Sequence, residues 1–242
     1  MTTAVDNPFE LFGTDHLLTI GLIAMTAVLL PPIVRCTGST KWERGVAAGI
    51  AIVLVLHEMI RIVFGGHLYG LSPTDRLPLH LCGVTLFLVA YMLVRRSYAT
   101  FEVVYFWALG GTLQAILTPD LRVGFPGAAY IVFFVNHGLV MVGVAYAIGV
   151  YRFWPTLRSV AKALAMTVAY AAVVGVLNPI LGTNYLYLRH KPEGASLLDY
   201  LGPWPWYLVS LFLVAVLFCF VYYLPFAYLE RRKIRRSGTP SE

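Results

Sequence analysis

The chain is a succession of apolar runs, most of them long enough to cross a bilayer as helices. About 20 apolar residues, within a range of 17–25, span the hydrocarbon core. Of the 242 residues 59% are hydrophobic and only 12% are charged, whereas about 25% are charged in soluble domains. The sequence therefore predicts an all-α, polytopic, multi-pass cell-membrane protein, with residues 1–242 forming a single transmembrane helical domain. Its seven predicted spans are about 15–34, 44–64, 78–94, 101–118, 128–150, 159–181 and 204–226.

Basic residues alternate between the two sides of these spans. The basic clusters that share one side are Arg35, Lys41 and Arg44, then Arg95 and Arg96, then Arg152, Arg158 and Lys162, and finally the C-terminal RRKIRR. Cytoplasmic loops carry the Lys/Arg excess in membrane proteins, which predicts an outer N-terminus and a cytoplasmic C-terminus. The net charge of +6 arises from these anchors, so the sequence predicts a membrane partner and no nucleic-acid partner.

Polar side chains interrupt several of the apolar runs. Ionisable groups in hydrocarbon cost roughly 2.5–3.5 kcal/mol each on insertion scales, so they normally face a bundle interior or cavity and mark a site. At 1.5 Å per residue, the spans running in both directions place these groups in their outer halves. This pattern predicts one cavity that opens toward the outer leaflet. The residues concerned are His57, Glu58, Arg61, His80, Cys82, Gln114, Asn136, His137 and Asn178.

Cys82 is the candidate nucleophile, and its base must come from another span. His80 lies two residues away, about 200° around the helix, and cannot face the same point. His137 in span five is the candidate base, at a depth estimated to differ by about 8 Å, which helix tilt could close. A thiol, an imidazole and orienting polar groups are what nucleophilic acyl transfer requires. His80, His57 and Gln114 are candidate oxyanion or orienting groups, with Asn136 and Asn178 as further orienting candidates.

Glu58 and Arg61 admit two interpretations. They are i, i+3 neighbours, so they could form an internal ion pair that neutralises two costly charges. Alternatively, Arg61 could hold a lipid phosphate while Glu58 orients an imidazole. The two residues are therefore candidates for either a structural or a substrate-binding role.

Other classes of function also use polar groups within a membrane. A transporter or binding protein could use the same cavity, although its polar path should continue into the inner halves, which are apolar here. A haem or metal protein could use His57, His80 and His137, but the enzyme hypothesis requires neither metal nor cofactor. The three cysteines give neither a disulfide framework nor a CxxC spacing. The long aromatic loop at 182–203 is either an interfacial belt or a lid over the site.

Three segments carry a family resemblance: LPLHLCG, VNHG, and NYLYLRHKPEGASLLDYLGPWPWY. With them the chain resembles the bacterial YwaF-type integral membrane proteins, which are similar to the eukaryotic transmembrane protein 164 family. The resemblance covers nearly the whole chain, and the loop leading into GPWPWY is its most specific part. It implies a fold related to the androgen-induced, threonine-dependent lipid hydrolases.

The activity implied by this resemblance is phospholipid acyl transfer. A membrane cysteine and a histidine would move a fatty acyl chain onto an ether lysophospholipid. Carried over residue by residue, the nucleophile corresponds to Cys82 in LPLHLCG and the histidine to His137 in VNHG. We therefore expect a cysteine-dependent phospholipid acyltransferase or lipid hydrolase that acts on phospholipid or lysophospholipid.

Overall fold

A computed structural model describes residues 7–69, 72–74, 76–191 and 197–237. Within them the chain is helical, and the one β-pairing is an isolated bridge between Pro8 and Val123. The α-helices are α1 (Thr14–Cys36), α2 (Thr40–Tyr69), α3 (Leu81–Arg95), α4 (Tyr98–Trp107), α5 (Leu113–Leu117), α6 (Ala128–Gly149), α7 (Leu157–Leu181) and α8 (Trp206–Ser237).

Six segments in the described part of the chain are long and apolar enough to cross a membrane. They are Thr14–Cys36, Thr40–Gly66, Tyr98–Leu117, Ala128–Gly149, Leu157–Leu181 and Trp206–Arg232. The remaining predicted span, 78–94, corresponds to α3, which has 15 residues and is about 22 Å long at 1.5 Å per residue. The hydrocarbon core is about 30 Å thick, so α3 is shorter than this core. The prediction of an all-helical, multi-pass membrane protein is confirmed, whereas the predicted count of seven spans is not.

The described contacts divide the chain into two compact units, Met1–Phe153 and Trp154–Glu242. In the first unit α6 is central, because it packs against α1, α2 and α3, while α3 also packs against α2 and α4. The buried core between these helices is apolar and includes Leu54, Leu86, Val89, Met92, Phe101, Val104 and Tyr146. The prediction of one transmembrane domain over residues 1–242 stays a prediction.

Local signals explain how α3 ends and α4 begins. Arg96 has a left-handed backbone (φ 49°) and closes α3, and Ser97 then caps α4 by accepting a hydrogen bond from the Thr100 amide.

Downstream, α4 does not run directly into α5, because residues Ala108–Thr112 form a π-helical turn. Such turns are rare in proteins, and those that occur often lie at functional sites. The predicted span 101–118 is thus one apolar segment with a wide turn inside it.

The start of α1 is fastened to α5 and α6 by polar contacts. Buried His16 donates from Nε2 to the Ile116 carbonyl (2.8 Å) and accepts at Nδ1 from the Phe12 amide (3.0 Å). Tyr130 of α6 donates to the Asp15 carbonyl (2.9 Å) and pairs with the Thr19 hydroxyl (2.7 Å). The beginnings of α1 and α6 therefore lie together at the end of α5.

The second unit is built from α7 and α8, which pack against each other. A capping box formed by Thr156 and Ser159 starts α7, and Gly182 with φ 67° ends it. After Gly182 the chain turns back on itself, and Tyr207 in the first turn of α8 donates to the Tyr187 carbonyl. The described parts of the predicted lid, 182–191 and 197–203, are thus ordered by contacts within this unit.

Candidate functional site

Cys82 is the second residue of α3. His80 is the N-cap residue with an extended backbone (φ −70°, ψ 149°), so the helix begins at Leu81 rather than at Pro78. The Gly83 amide donates to the His80 carbonyl (3.0 Å), which closes the first turn. The first N–H groups of a helix have no intrahelical partner, and the N-terminus carries a partial positive charge. A thiolate at Cys82 would therefore lie where helix geometry favours an anion.

The π-helical turn lies directly against this cysteine. A Cβ atom added at Gly111 would lie 3.9 Å from Cys82 Sγ and 3.5 Å from Leu81 Cδ2. The next residue, Thr112, is 1% exposed and presents its hydroxyl to the thiol as a side-chain hydrogen-bonding group. Cys82 itself is partly buried. The sulfur thus lies between the start of α3 and the π-helical turn, whose last residue, Thr112, carries the hydroxyl.

His137 lies on α6 with a defined tautomer. Its Nδ1 is 2.8 Å from the Phe133 carbonyl oxygen, and a carbonyl can only accept, so Nδ1 carries the hydrogen. In the neutral ring Nε2 then holds the lone pair and can accept a proton. The Phe133 ring stacks on the imidazole with centroids 4.1 Å apart and an interplanar angle of 23°. The carbonyl and the phenyl ring together fix the orientation of a basic nitrogen.

A second imidazole, His57 of α2, lies within electrostatic range of His137. The two rings interact electrostatically, and His57 also approaches the Val132 backbone of α6. Both ring nitrogens of His57 are buried, and neither makes a hydrogen bond of good geometry within the described residues. An unsatisfied buried polar group costs about 1–3 kcal/mol. The arrangement therefore leaves a polar group available to a ligand between α2 and α6.

The packing of α3 on α6 sets the levels of Cys82 and His137 relative to each other. A Cβ atom added at Gly143 would lie 2.6 Å from Val89 Cγ1 and 3.3 Å from Leu93 Cδ1, and Tyr151 donates to the Leu93 carbonyl (2.8 Å). Both contacts progress in the same direction along the two helices, which are therefore parallel.

This register can be converted into distances along the helix axes. Cys82 precedes Val89 by seven residues and His137 precedes Gly143 by six, which is roughly 10.5 Å and 9 Å at 1.5 Å per residue. The axial difference is thus about 1.5 Å when counted from Val89 and about 7.5 Å when counted from Leu93, which Gly143 also meets, and the sequence estimate was about 8 Å. The sequence estimate assumed that both spans enter the bilayer at the same level, whereas the register is counted from the contact between the two helices.

Glu58 and Arg61 form the predicted ion pair. Arg61 Nε lies 3.0 and 3.1 Å from the two Glu58 carboxylate oxygens, and one terminal nitrogen lies 2.5 Å from Oε1. The same nitrogen donates to the Arg76 carbonyl (3.0 Å), in the segment that leads to α3. Glu58 is 1% exposed and Arg61 is 22% exposed. The pair fastens α2 to the segment before Cys82, and the alternative role of Arg61 in binding phosphate stays a prediction.

The other predicted site residues have different environments. His80 is exposed at the start of α3, and Asn136 is partly buried beside His137 on α6. Gln114 lies in α5, partly buried, two residues after Thr112. Asn178 lies in the second unit, where its amide donates to the Tyr185 carbonyl and accepts from Thr183 and Tyr185. These four residues stay candidate orienting groups. The hydrogen bonds of Asn178 also stabilise the turn after α7.

Three polar residues that the sequence reasoning passed over are buried in the first unit. His16 holds the N-terminal segment to α5, as described above. Thr85 and Thr112 are 0% and 1% exposed, and their hydroxyls make no hydrogen bond of good geometry within the described residues. A signal for Thr112 exists in the run Gly110–Gly111–Thr112, because paired glycines inside a helix mark irregular backbone.

A cavity of about 170 Å³ lies at the beginnings of α1 and α6, apart from the Cys82 thiol. Its lining includes Glu10, Asp15, His16 and Tyr130. The lining includes neither Cys82 nor His137. Across the described residues, no three His, Cys, Asp or Glu side chains come together in a group that could hold a metal ion.

Comparison with known proteins agrees with the resemblance carried by the sequence motifs. The model of the TMEM164 family matches residues 11–223. A Treponema pallidum (strain Nichols) protein, described as uncharacterized, is 28% identical over 222 residues, which cover 90% of each chain. No solved structure matches. Because the family model covers most of the chain, this multi-pass membrane protein belongs to the TMEM164 family.

Proposed function

We propose that the protein is a cysteine-dependent phospholipid acyltransferase or lipid hydrolase, with Cys82 as nucleophile and His137 as base. The observation that carries the proposal is the tautomer of His137. Its Nδ1–H is held by the Phe133 carbonyl, which directs the basic Nε2 away from its own helix. α6 packs on α3, the helix that begins with the candidate nucleophile. A base fixed in this way by its second ring nitrogen is the arrangement used in activated nucleophiles.

The first half-reaction forms a thioester. His137 Nε2 takes the proton from Cys82, and the thiolate attacks the carbonyl carbon of a phospholipid ester. An S–C bond forms, the ester C–O bond breaks, and the imidazolium returns its proton to the departing lysolipid oxygen. The helix N-terminus at Cys82 favours the charged sulfur, whereas the apolar surroundings of the site disfavour it, so the thiolate depends on the base.

The second half-reaction releases the acyl group. The hydroxyl of a lysophospholipid, or water, gives its proton to His137 Nε2 and attacks the thioester carbonyl. The C–S bond breaks and the thiolate regains the proton from the imidazolium. His57 has two buried nitrogens without a hydrogen bond of good geometry and lies within electrostatic range of His137, so we assign it as a donor to the ester oxygen. A positioned base contributes typically 10²–10⁴-fold to such reactions.

The orientation of the chain is part of the same proposal. An outer N-terminus and a cytoplasmic C-terminus follow from the basic loops after α1, α3 and α6 and from the C-terminal RRKIRR. In this orientation α3 begins at the outer leaflet, and Cys82 in its first turn lies near the level of a glycerol ester. The substrate is then a lipid of the outer leaflet.

Turnover of a fluorescent diacyl phospholipid by the purified protein tests the proposal. We expect Cys82→Ala to abolish turnover, and His137→Gln to lower it by about 10²–10⁴-fold because the base is lost. Cys82→Ser should be folded and nearly inactive, since a hydroxyl is far less acidic than a thiol. Cys219→Ala, which removes a buried cysteine of the second unit, is the matched control and should retain turnover. A wild-type protein that binds lipid without converting it would instead indicate a binding or transport protein.

A further inference from the structure

The hydroxyl of Thr112 departs from the usual behaviour of threonine in a helix. Helical Thr side chains normally donate to the carbonyl four residues earlier, as Thr26 does to Leu22 (2.7 Å) and Thr167 to Ala163 (2.8 Å). Thr112 is 1% exposed and makes no such bond, nor any other of good geometry within the described residues. A buried hydroxyl without a partner costs free energy, which points to a group that it serves only in another state of the site.

The candidate for that group is the sulfur of Cys82. The backbone at Gly111 approaches so closely that an added Cβ atom would lie 3.9 Å from Cys82 Sγ, and Thr112 is the side chain that presents a hydrogen-bonding group to this thiol. Thr112 is the last residue of the π-helical turn. The wide turn thus brings the hydroxyl to the start of α3.

We propose that Thr112 stabilises the thiolate of Cys82 by donating its hydroxyl hydrogen to Sγ. This inference deepens the proposed function and rests on it, because it concerns the nucleophile of that reaction. When the thiol proton moves to His137 Nε2, the sulfur becomes a charged acceptor, and the O–H···S⁻ bond strengthens. The hydroxyl that has no partner of good geometry in the resting site then acquires one in the activated site. Hydrogen bonds to charged groups are about twice as strong as neutral ones.

The reactivity of the Cys82 thiol measures this bond without any lipid. The full-length protein in detergent is alkylated with N-ethylmaleimide at pH 8, and peptide mass spectrometry gives the rate at Cys82 relative to the exposed Cys36 of the same chain. We expect Thr112→Val to slow alkylation about threefold. The thiolate fraction falls about tenfold, which corresponds to about 1.4 kcal/mol, while each thiolate becomes about threefold more nucleophilic because the Brønsted slope is near 0.5.

Two variants separate the hydroxyl from the volume of the side chain. Thr112→Ser keeps the donor and should react like the wild type, whereas Thr112→Ala should slow alkylation as Thr112→Val does. Thr85→Val is the matched control, because Thr85 is equally buried and equally without a partner but is not the residue presented to the sulfur. It should leave the rate at Cys82 unchanged. An unchanged rate in both Thr112→Val and Thr112→Ala, or equal slowing by Thr85→Val, would overturn the inference.

The outcome is independent of the acyl-transfer proposal. If Thr112→Val slows alkylation while the wild type forms no acyl-thioester, the contact between Thr112 and Cys82 stands and the proposed reaction falls. If the wild type forms the thioester while Thr112→Val and Thr112→Ala alkylate at the wild-type rate, the reaction stands and the inference about Thr112 is wrong.

Discussion

At the scale of single residues, polar side chains within an apolar span can be recognised from the sequence because their burial costs free energy. Cys82 and His137 could be selected in this way, and the ion pair of Glu58 with Arg61 is confirmed. Thr112 could not be selected by this cost, because threonine is common in membrane helices and usually satisfies its hydroxyl within its own helix; the signal for it is the glycine pair that precedes it. Its unusual state depends on a backbone turn that periodicity does not encode.

The Glu58–Arg61 pair gives a prediction about stability. Arg61→Met should lower the free energy of unfolding by about 3–5 kcal/mol, because it leaves a buried carboxylate without its partner. The double variant Glu58→Met with Arg61→Met should recover part of this loss, since well-packed apolar residues can replace a buried pair at little cost. Thermal unfolding in one detergent compares the three proteins. A double variant less stable than Arg61→Met alone would show that the unpaired Glu58 carboxylate is not what destabilises the Arg61→Met protein.

At the scale of helices, apolar runs predict where elements lie but not their irregular ends. The α6 and α7 bounds agree with the predicted spans to within two residues. In contrast, α3 begins three residues after the predicted start of its span, because His80 before it has an extended backbone. The π-helical turn within the fourth span was also not predicted, since five apolar and small residues look the same in either helix type.

Close packing of α3 against α6 gives a prediction at this scale. Gly143→Ala places a methyl group 2.6 Å from Val89 Cγ1, and overpacking of this kind typically costs about 1–3 kcal/mol. The melting temperature should fall, and lipid turnover should fall with it because the levels of Cys82 and His137 are set by this contact. Gly49→Ala is the control, because no atom lies within 4 Å of the added methyl group. It should be neutral or stabilising by about 0.5–1 kcal/mol, and equal melting temperatures for the two variants would contradict the packing argument.

At the scale of the whole molecule, composition alone identifies a multi-pass helical membrane protein. Apolar length gives candidate spans, but it does not show which helices touch, because lipid and protein interior are equally apolar. The central place of α6 among α1, α2 and α3 therefore follows only from the structure. The same contacts bring the candidate nucleophile, base and second imidazole into one unit, Met1–Phe153.

The most direct test of the account is the mass of Cys82 after incubation with phospholipid. In a Cys36→Ala, Cys219→Ala background, Cys82 is the single cysteine, so intact-mass and peptide measurements report on one thiol. We predict a mass increase equal to the acyl chain of the donor lipid less one hydrogen, located on Cys82 and removed by neutral hydroxylamine. The adduct should be absent after Cys82→Ala and should form far more slowly after His137→Gln. Lipid turnover that persists in Cys82→Ala, with no adduct on Cys82 in the parent protein, would contradict the mechanism.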